Sequence, residues 1–154
     1  MIEFLRGNLF DADVEAITNA VNCVGVMGKG IALEFKKRFS QNFVAYKAAC
    51  DTGELQLGKV FIHDEGPSTR PRYIVNFPTK NHWRDGSRLE DIRTGLESLA
   101  TEIERLKIRS IAIPALGCGL GGLDWLMVRP SVETILGTCE NAAILVFCPF
   151  DSSP

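Results

Sequence analysis

The run from Thr18 to Phe39, TNAVNCVGVMGKGIALEFKKRF, restricts what this chain can fold into more than any other stretch. An apolar segment, Val14 to Val21, ends in Asn22. Gly25, Gly28 and Gly30 then break the chain, and Ile31, Leu33 and Phe35 open a helical pattern that closes on Phe39. Strand, glycine loop and helix in this order let backbone N–H groups converge on an anion at a helix N-terminus. The plainer alternative is a tight turn whose glycines supply only positive φ. Three glycines around Lys29 favour the ligand-binding reading.

The arrangement recurs further along. Ser110 to Pro114 reads as a buried strand, Leu116 to Leu123 (LGCGLGGL) as a second glycine loop, and Asp124 as the cap of a helix running to about Thr138. Between the two units, Phe43 to Cys50 predicts a helix that Gly53 stops. Lys59 to His63 and Arg72 to Phe77 predict a strand pair, joined through the breakers Gly66, Pro67 and Pro71. Thr79 to Gly86 reads as a polar loop carrying Lys80, His82, Trp83 and Arg84. Ser87 and Glu90 have the spacing of a capping box, and Leu89, Ile92, Leu96, Leu99, Ile103 and Leu106 behind them form one helical stripe.

The ends add strands at Ile2 to Arg6, Glu15 to Ala20 and Ala142 to Phe147, and a polar tail at Asp151 to Pro154. A chain of 154 residues fits one domain. Alternating strands and helices predict a three-layer α/β/α fold on a mixed central sheet, spanning residues 1–154, with ligand at the carboxyl ends of the strands.

Net charge is -2, so any nucleic-acid contact must come from a local patch rather than the whole surface. The five cysteines are scattered without a C-x-x-C pair, which argues against a disulfide framework or a structural zinc site and for a reducing, cytoplasmic setting. The N-terminus lacks signal-peptide features, and no apolar run approaches the ~20 residues of a membrane helix. No metal, cofactor or membrane partner is expected.

Nucleotide and hydrolase templates fit poorly. A Walker A loop ending at Gly28-Lys29 would have Cys23 in place of its first glycine and Gly30 in place of its hydroxyl residue. Gly117 to Gly122 matches G-x-G-x-x-G, yet the next strand ends in Phe147-Cys-Pro-Phe150 without the acidic ribose ligand of a dinucleotide fold. There is no G-x-S-x-G and no H-E-x-x-H, and His63 falls inside a strand. Cys118 reads as a packing or backbone-presenting residue rather than a nucleophile. Two backbone-rich loops suit a diphosphate, and asparagines at strand ends, Asn22 and Asn76, suit ribose hydroxyls.

Gly7-Asn8-Leu9, Asn19 to Asn22, Gly28 to Ala32 and Gly117 to Gly122 together resemble a macrodomain, the ADP-ribose-binding module, over nearly the whole chain. Val21 to Ala32, Asn76 to Lys80 and Leu116 to Trp125 resemble more narrowly the DarG branch, antitoxins that remove ADP-ribose placed by a DarT toxin on thymidine in single-stranded DNA. The terminal ADP-ribose protein glycohydrolase is a relative in that branch. The resemblance implies adenine contacts at Asn8 and Leu9, and a distal-ribose pocket from Ala20, Val21, Asn22 and Thr79. It implies a diphosphate clasp through the N–H groups of Ile31, Ala32 and Leu33 and of Gly117, Cys118, Gly119, Leu120 and Gly121. Lys80 matches the branch's catalytic lysine. Asn8 stands where many macrodomains have aspartate, so adenine loses a charge-assisted acceptor. Gly121 stands where the protein glycohydrolase has a catalytic aspartate.

A lysine acting as a neutral nucleophile at pH 7 must titrate roughly three units below its usual ~10.4. A charged Lys80 instead stabilises the departing base with no such shift. His82, Trp83 and Arg84 interleave cations with an aromatic ring, a pattern for gripping a single strand. The expected function is DNA ADP-ribosyl glycohydrolase and antitoxin to a DarT-like toxin. The alternatives are an ADP-ribose reader without catalysis, or a glycohydrolase on ADP-ribosylated protein. The DarG likeness also implies a longer parent chain with a C-terminal toxin-binding domain.

Overall fold

A computed structural model describes residues 1–150; the polar tail at Asp151 to Pro154 lies outside the described residues. In chain order the elements are β1 (Ile2–Leu5), a 3-10 turn (Leu9–Asp11), β2 (Ala16–Asn22), α1 (Gly30–Arg38), α2 (Ser40–Asp51), β3 (Phe61–Asp64), β4 (Tyr73–Lys80), α3 (Leu89–Leu106), β5 (Ser110–Pro114), α4 (Trp125–Leu136) and β6 (Ala143–Phe147). The strands form one sheet in the order β1-β6-β5-β2-β4-β3. Only the β3–β4 pairing is antiparallel, so the sheet is mixed, as predicted.

Helices cover both faces, because each face of the central strands is apolar. On one face the α3 stripe (Ile92, Leu96, Leu99, Ile103) and α4 (Trp125, Val128, Val132, Leu136) pack on Val75, Phe77, Ile111, Ile113, Ile144 and Val146. On the other, Phe35 of α1, Tyr46 and Ala49 of α2, and Leu9 of the 3-10 turn pack on Ile17, Val21, Ile74 and Ala112. Parallel strands under two helical layers leave their carboxyl ends free for loops. The segments after β1, β2 and β5 therefore emerge from one end of the sheet.

Three details depart from expectation. Asn76 is mid-strand, not at a strand end: it is fully buried and exchanges amide hydrogen bonds with Asn42 of α2 at 3.2 and 2.9 Å. It therefore has no role at a ribose. The capping box does not form. Arg88 occupies the N-cap with no side-chain bond, because the Ser87 N–H is committed to the Gly121 carbonyl at 2.9 Å and α3 starts one residue later. Finally, β4 runs through Thr79 to Lys80, which the sequence reading placed in a loop.

Gly95 lets α3 settle onto β4. A Cβ there would stand 2.4 Å from the Phe77 ring. Gly95→Ala gains about 1 kcal/mol of helix propensity but overpacks a tight contact, which costs roughly 1–3 kcal/mol. Strain is expected to win, lowering the thermal midpoint by about 2–4 °C per kcal/mol of net loss; calorimetry of the variant checks the sign.

Candidate active site

The first glycine loop is wired by a single side chain. Asn22, at the carboxyl end of β2, is buried, and its Oδ1 accepts from the N–H groups of Val24 (3.1 Å) and Val26 (3.4 Å). Its Nδ2 donates to the Val26 carbonyl at 2.8 Å. The amide thus folds residues 22–26 back on themselves, leaving one of its two N–H donors for another partner.

Beyond this turn α1 begins at Gly30 with Lys29 at its N-cap, and no side chain caps it. No acidic residue occupies its first turn either. The N–H groups of Gly30, Ile31 and Ala32 precede the first intrahelical bond and stay available to an anion. Leu33 differs from expectation: its N–H already donates to the Lys29 carbonyl at 3.2 Å.

The second loop sorts its donors the same way. Cys118, Gly122 and Leu123 donate inward, to Ala115, Gly119 and Gly117. Among the described residues, the N–H groups of Gly119, Leu120 and Gly121 have no protein partner. Gly121 has no room for a side chain, since a Cβ would meet Ser87 Oγ at 2.3 Å and the Gly117 carbonyl at 2.5 Å. Cys118 is buried, and that burial pushes its thiol up to about 11. It is a packing residue, not a thiolate nucleophile.

Lys80 closes β4 opposite Asn22. The register runs Val21↔Pro78 and then Asn22↔Lys80, so Thr79 is an extra residue on β4 with no partner on β2. Such a bulge re-aims the residue that follows it. Pro78 is tolerated beside it because β3 ends its pairing at Asn76. Thr79 is buried and donates its hydroxyl to the Val21 carbonyl at 3.4 Å, so it ties strands together. Lys80 is half-buried, and its Nζ donates to the Trp83 carbonyl at 3.1 Å.

The segment after Lys80 is a strap between the two loops. The Cys23 N–H donates to the Asn81 carbonyl at 2.8 Å, and the Ser87 N–H to the Gly121 carbonyl at 2.9 Å. On its crest the Trp83 ring is 46% exposed, which places it in solvent rather than in the core. Arg84 stacks over it at 4.6 Å and His82 packs on it at 4.9 Å.

The remaining expected residues lie at the same end of the sheet with different duties. Asn8 caps the 3-10 turn, its Oδ1 accepting from the Phe10 N–H at 2.9 Å. Leu9 is buried in the core, which leaves its backbone rather than its side chain for a ligand. Ala20 is half-buried beside Phe77, and Val21 is buried. His63 pairs with Glu65 at 3.6 Å on the edge strand β3. Among the described residues no three His, Cys, Asp or Glu side chains are grouped as a metal site requires.

Two neighbouring loops of unpaired N–H groups, after β5 and β2, with Lys80 at the end of the next strand, suit an anion whose far end meets a cation. The family model described as Macro domain matches residues 18–132. This chain belongs to the macrodomain family. A Mycobacterium tuberculosis relative named DNA ADP-ribosyl glycohydrolase is 54% identical over 153 residues, which cover 99% of this macrodomain and 44% of the relative. The solved macrodomain of Thermus aquaticus DarG superimposes with a TM-score of 0.94 at 50% identity, covering 97% of this chain and 99% of that one. Thermosipho africanus DarTG in complex with ADP-ribose matches with a TM-score of 0.90 at 32% identity, over 99% of this chain and 43% of that one. The macrodomain spans less than half the length of the curated DNA ADP-ribosyl glycohydrolases it matches.

Sequence reasoning missed Asn81 and Ser87, which hold the strap through main-chain bonds, and Tyr46, whose hydroxyl touches Asn22 from below. No local pattern marks them.

Two thiols, buried Cys118 and half-buried Cys23, give this macrodomain an alkaline limit. Cys118 and Cys23 are both raised from 9.0 to about 11 by burial. The stability that goes with the neutral thiols is complete below pH 9 and is lost as pH rises through 11. The unfolding midpoint should fall across that window, and fall less in Cys118→Ala; denaturant titrations at pH 8 and 11 measure it.

Proposed function

We propose that this macrodomain is a DNA ADP-ribosyl glycohydrolase that removes ADP-ribose from thymidine bases of single-stranded DNA and serves as antitoxin to a DarT-like toxin. One juxtaposition carries the reading: Lys80 is the sheet partner of Asn22, beside the first of two neighbouring loops whose free N–H groups face the same end of the sheet. The diphosphate lies against Gly30, Ile31 and Ala32 on one side and Gly119, Leu120 and Gly121 on the other, held by helix-end dipole and N–H donors. Adenine extends toward the Asn8–Leu9 turn, and the distal ribose rests near Ala20, Val21 and Asn22. That brings the anomeric carbon toward Lys80.

Cleavage breaks the N-glycosidic bond from that carbon to the base. The hydroxyl of a water adds to the carbon, and the water's proton goes to the departing nitrogen. Lys80 offsets the charge that develops on the base. The Trp83 carbonyl, which accepts from its Nζ, holds it in place in the free enzyme.

The strap supplies the DNA contact. An exposed Trp83 under an arginine offers a base a stacking face and a phosphate a cation. Gly121 supports DNA over protein as substrate, because the packing of Ser87 and Gly117 leaves no space there for the carboxylate of the protein glycohydrolase. Toxin contact belongs to a part of the protein beyond this chain, as the length of the relatives suggests. No helix among the described residues is long and apolar enough to cross a membrane, and the free cysteines suit the reducing cytoplasm.

The test compares release of ADP-ribose from modified single-stranded DNA and from modified protein. Lys80→Ala should lose roughly 100-fold or more in turnover on DNA, with ADP-ribose affinity nearly unchanged. Near-normal turnover by that variant would sink the assignment of Lys80, and no release from either substrate by the wild-type protein would leave an ADP-ribose reader. Borohydride trapping of a lysine adduct would replace the electrostatic role with an imine. Trp83→Ala should weaken activity on DNA about tenfold while free ADP-ribose binds as before; equal losses in both would remove the strap from DNA recognition.

A further inference from the structure

The Asn22 amide that shapes the first loop is itself held, from beneath. Tyr46 of α2 is fully buried, and its hydroxyl lies 2.9 Å from both the Asn22 carbonyl and Asn22 Oδ1. A phenol has one proton for these two acceptors. Burial, with the Cys50 thiol next in effect, raises the Tyr46 phenol, so it remains a donor; the Gly25 N–H also lies against its oxygen. Among the described residues, the polar partners of its hydroxyl are Asn22 and Gly25 of the loop and Cys50, which also packs against Gly25. A ring with only a packing role in the core could equally be phenylalanine.

We propose that Tyr46 is a positioning residue, which fixes the Asn22 turn and through it the loop donors and the Asn22–Lys80 alignment on which hydrolysis depends. The inference rests on the ADP-ribose reading of that loop for its functional consequence. Its structural half does not: the Tyr46 hydroxyl, Asn22 Oδ1 and the Val24 and Val26 N–H groups form one connected set. Removing the hydroxyl leaves Asn22 to hold the turn without support, and the turn opens more often. An opened loop must be reordered on binding, which weakens affinity. Loss of the Asn22–Lys80 alignment lowers turnover as well.

Tyr46→Phe keeps the ring and deletes only the oxygen. Ala49→Gly serves as its control: Ala49 is buried on the same helix, takes no part in the loop's hydrogen bonds, and its loss weakens the helix. In the 154-residue protein, Tyr46→Phe should speed amide hydrogen exchange at Val24 and Val26 about tenfold, raise the Kd for ADP-ribose about tenfold and lower kcat severalfold. Ala49→Gly should lower the thermal midpoint to a similar degree and leave all three as in the wild type. Wild-type exchange at Val24 and Val26 in Tyr46→Phe overturns the inference. So does wild-type ADP-ribose affinity in that variant, or equal loosening of the loop by Ala49→Gly. Failure of the wild-type protein to bind ADP-ribose sinks the functional reading instead, and the exchange measurement still decides the role of Tyr46.

Discussion

Covering both faces of a mostly parallel sheet decides nearly everything else about this molecule. With α1 and α2 on one side and α3 and α4 on the other, only the strand ends and the two edges meet water. Loops at the carboxyl ends then carry backbone groups that the ladder no longer pairs. Two of those loops sort their N–H groups, some inward to hold their own shape and some left open. Function in this fold therefore depends less on reactive side chains than on which amides the packing leaves without partners.

Holding such loops still requires polar groups inside the core, where each must be satisfied. α2 brings two of them to the sheet, Asn42 against Asn76 and Tyr46 against Asn22. Unpaired, each would cost roughly 1–3 kcal/mol. Paired, they fix one arrangement of helix over strand, because no neighbouring register offers the same partners. The strap from Asn81 to Ser87 extends that order across the mouth of the site through two main-chain bonds. A base stacking on Trp83 would thus lean on the same frame that holds both loops.

The sequence was most legible where one residue type has one physical meaning. Glycine clusters after apolar runs marked both loops, the α3 stripe marked its buried face, and Asp124 caps α4 as its position suggested. Side-chain destinations in strands were harder. Asn76 and Thr79 look like site residues from their neighbours in the sequence. Asn76 is instead committed to α2, and Thr79, whose hydroxyl reaches the Val21 carbonyl of β2, is also the bulge before Lys80. Ser87 and Glu90 had the spacing of a cap, but a main-chain bond to Gly121 claimed Ser87 first. Pro78 inside an apolar strand was the one local sign of the bulge at Thr79.

That bulge separates two parts of β4 that would otherwise move together. Up to Phe77 the strand is core, matched residue for residue to β2. The single unmatched Thr79 absorbs any misfit before Lys80. Lengthening or shortening the segment by one residue would turn Lys80 toward the opposite face without disturbing the layers beneath. The reach of the lysine is thus a separate module of the fold, open to change by descent or by engineering while the scaffold stays as it is.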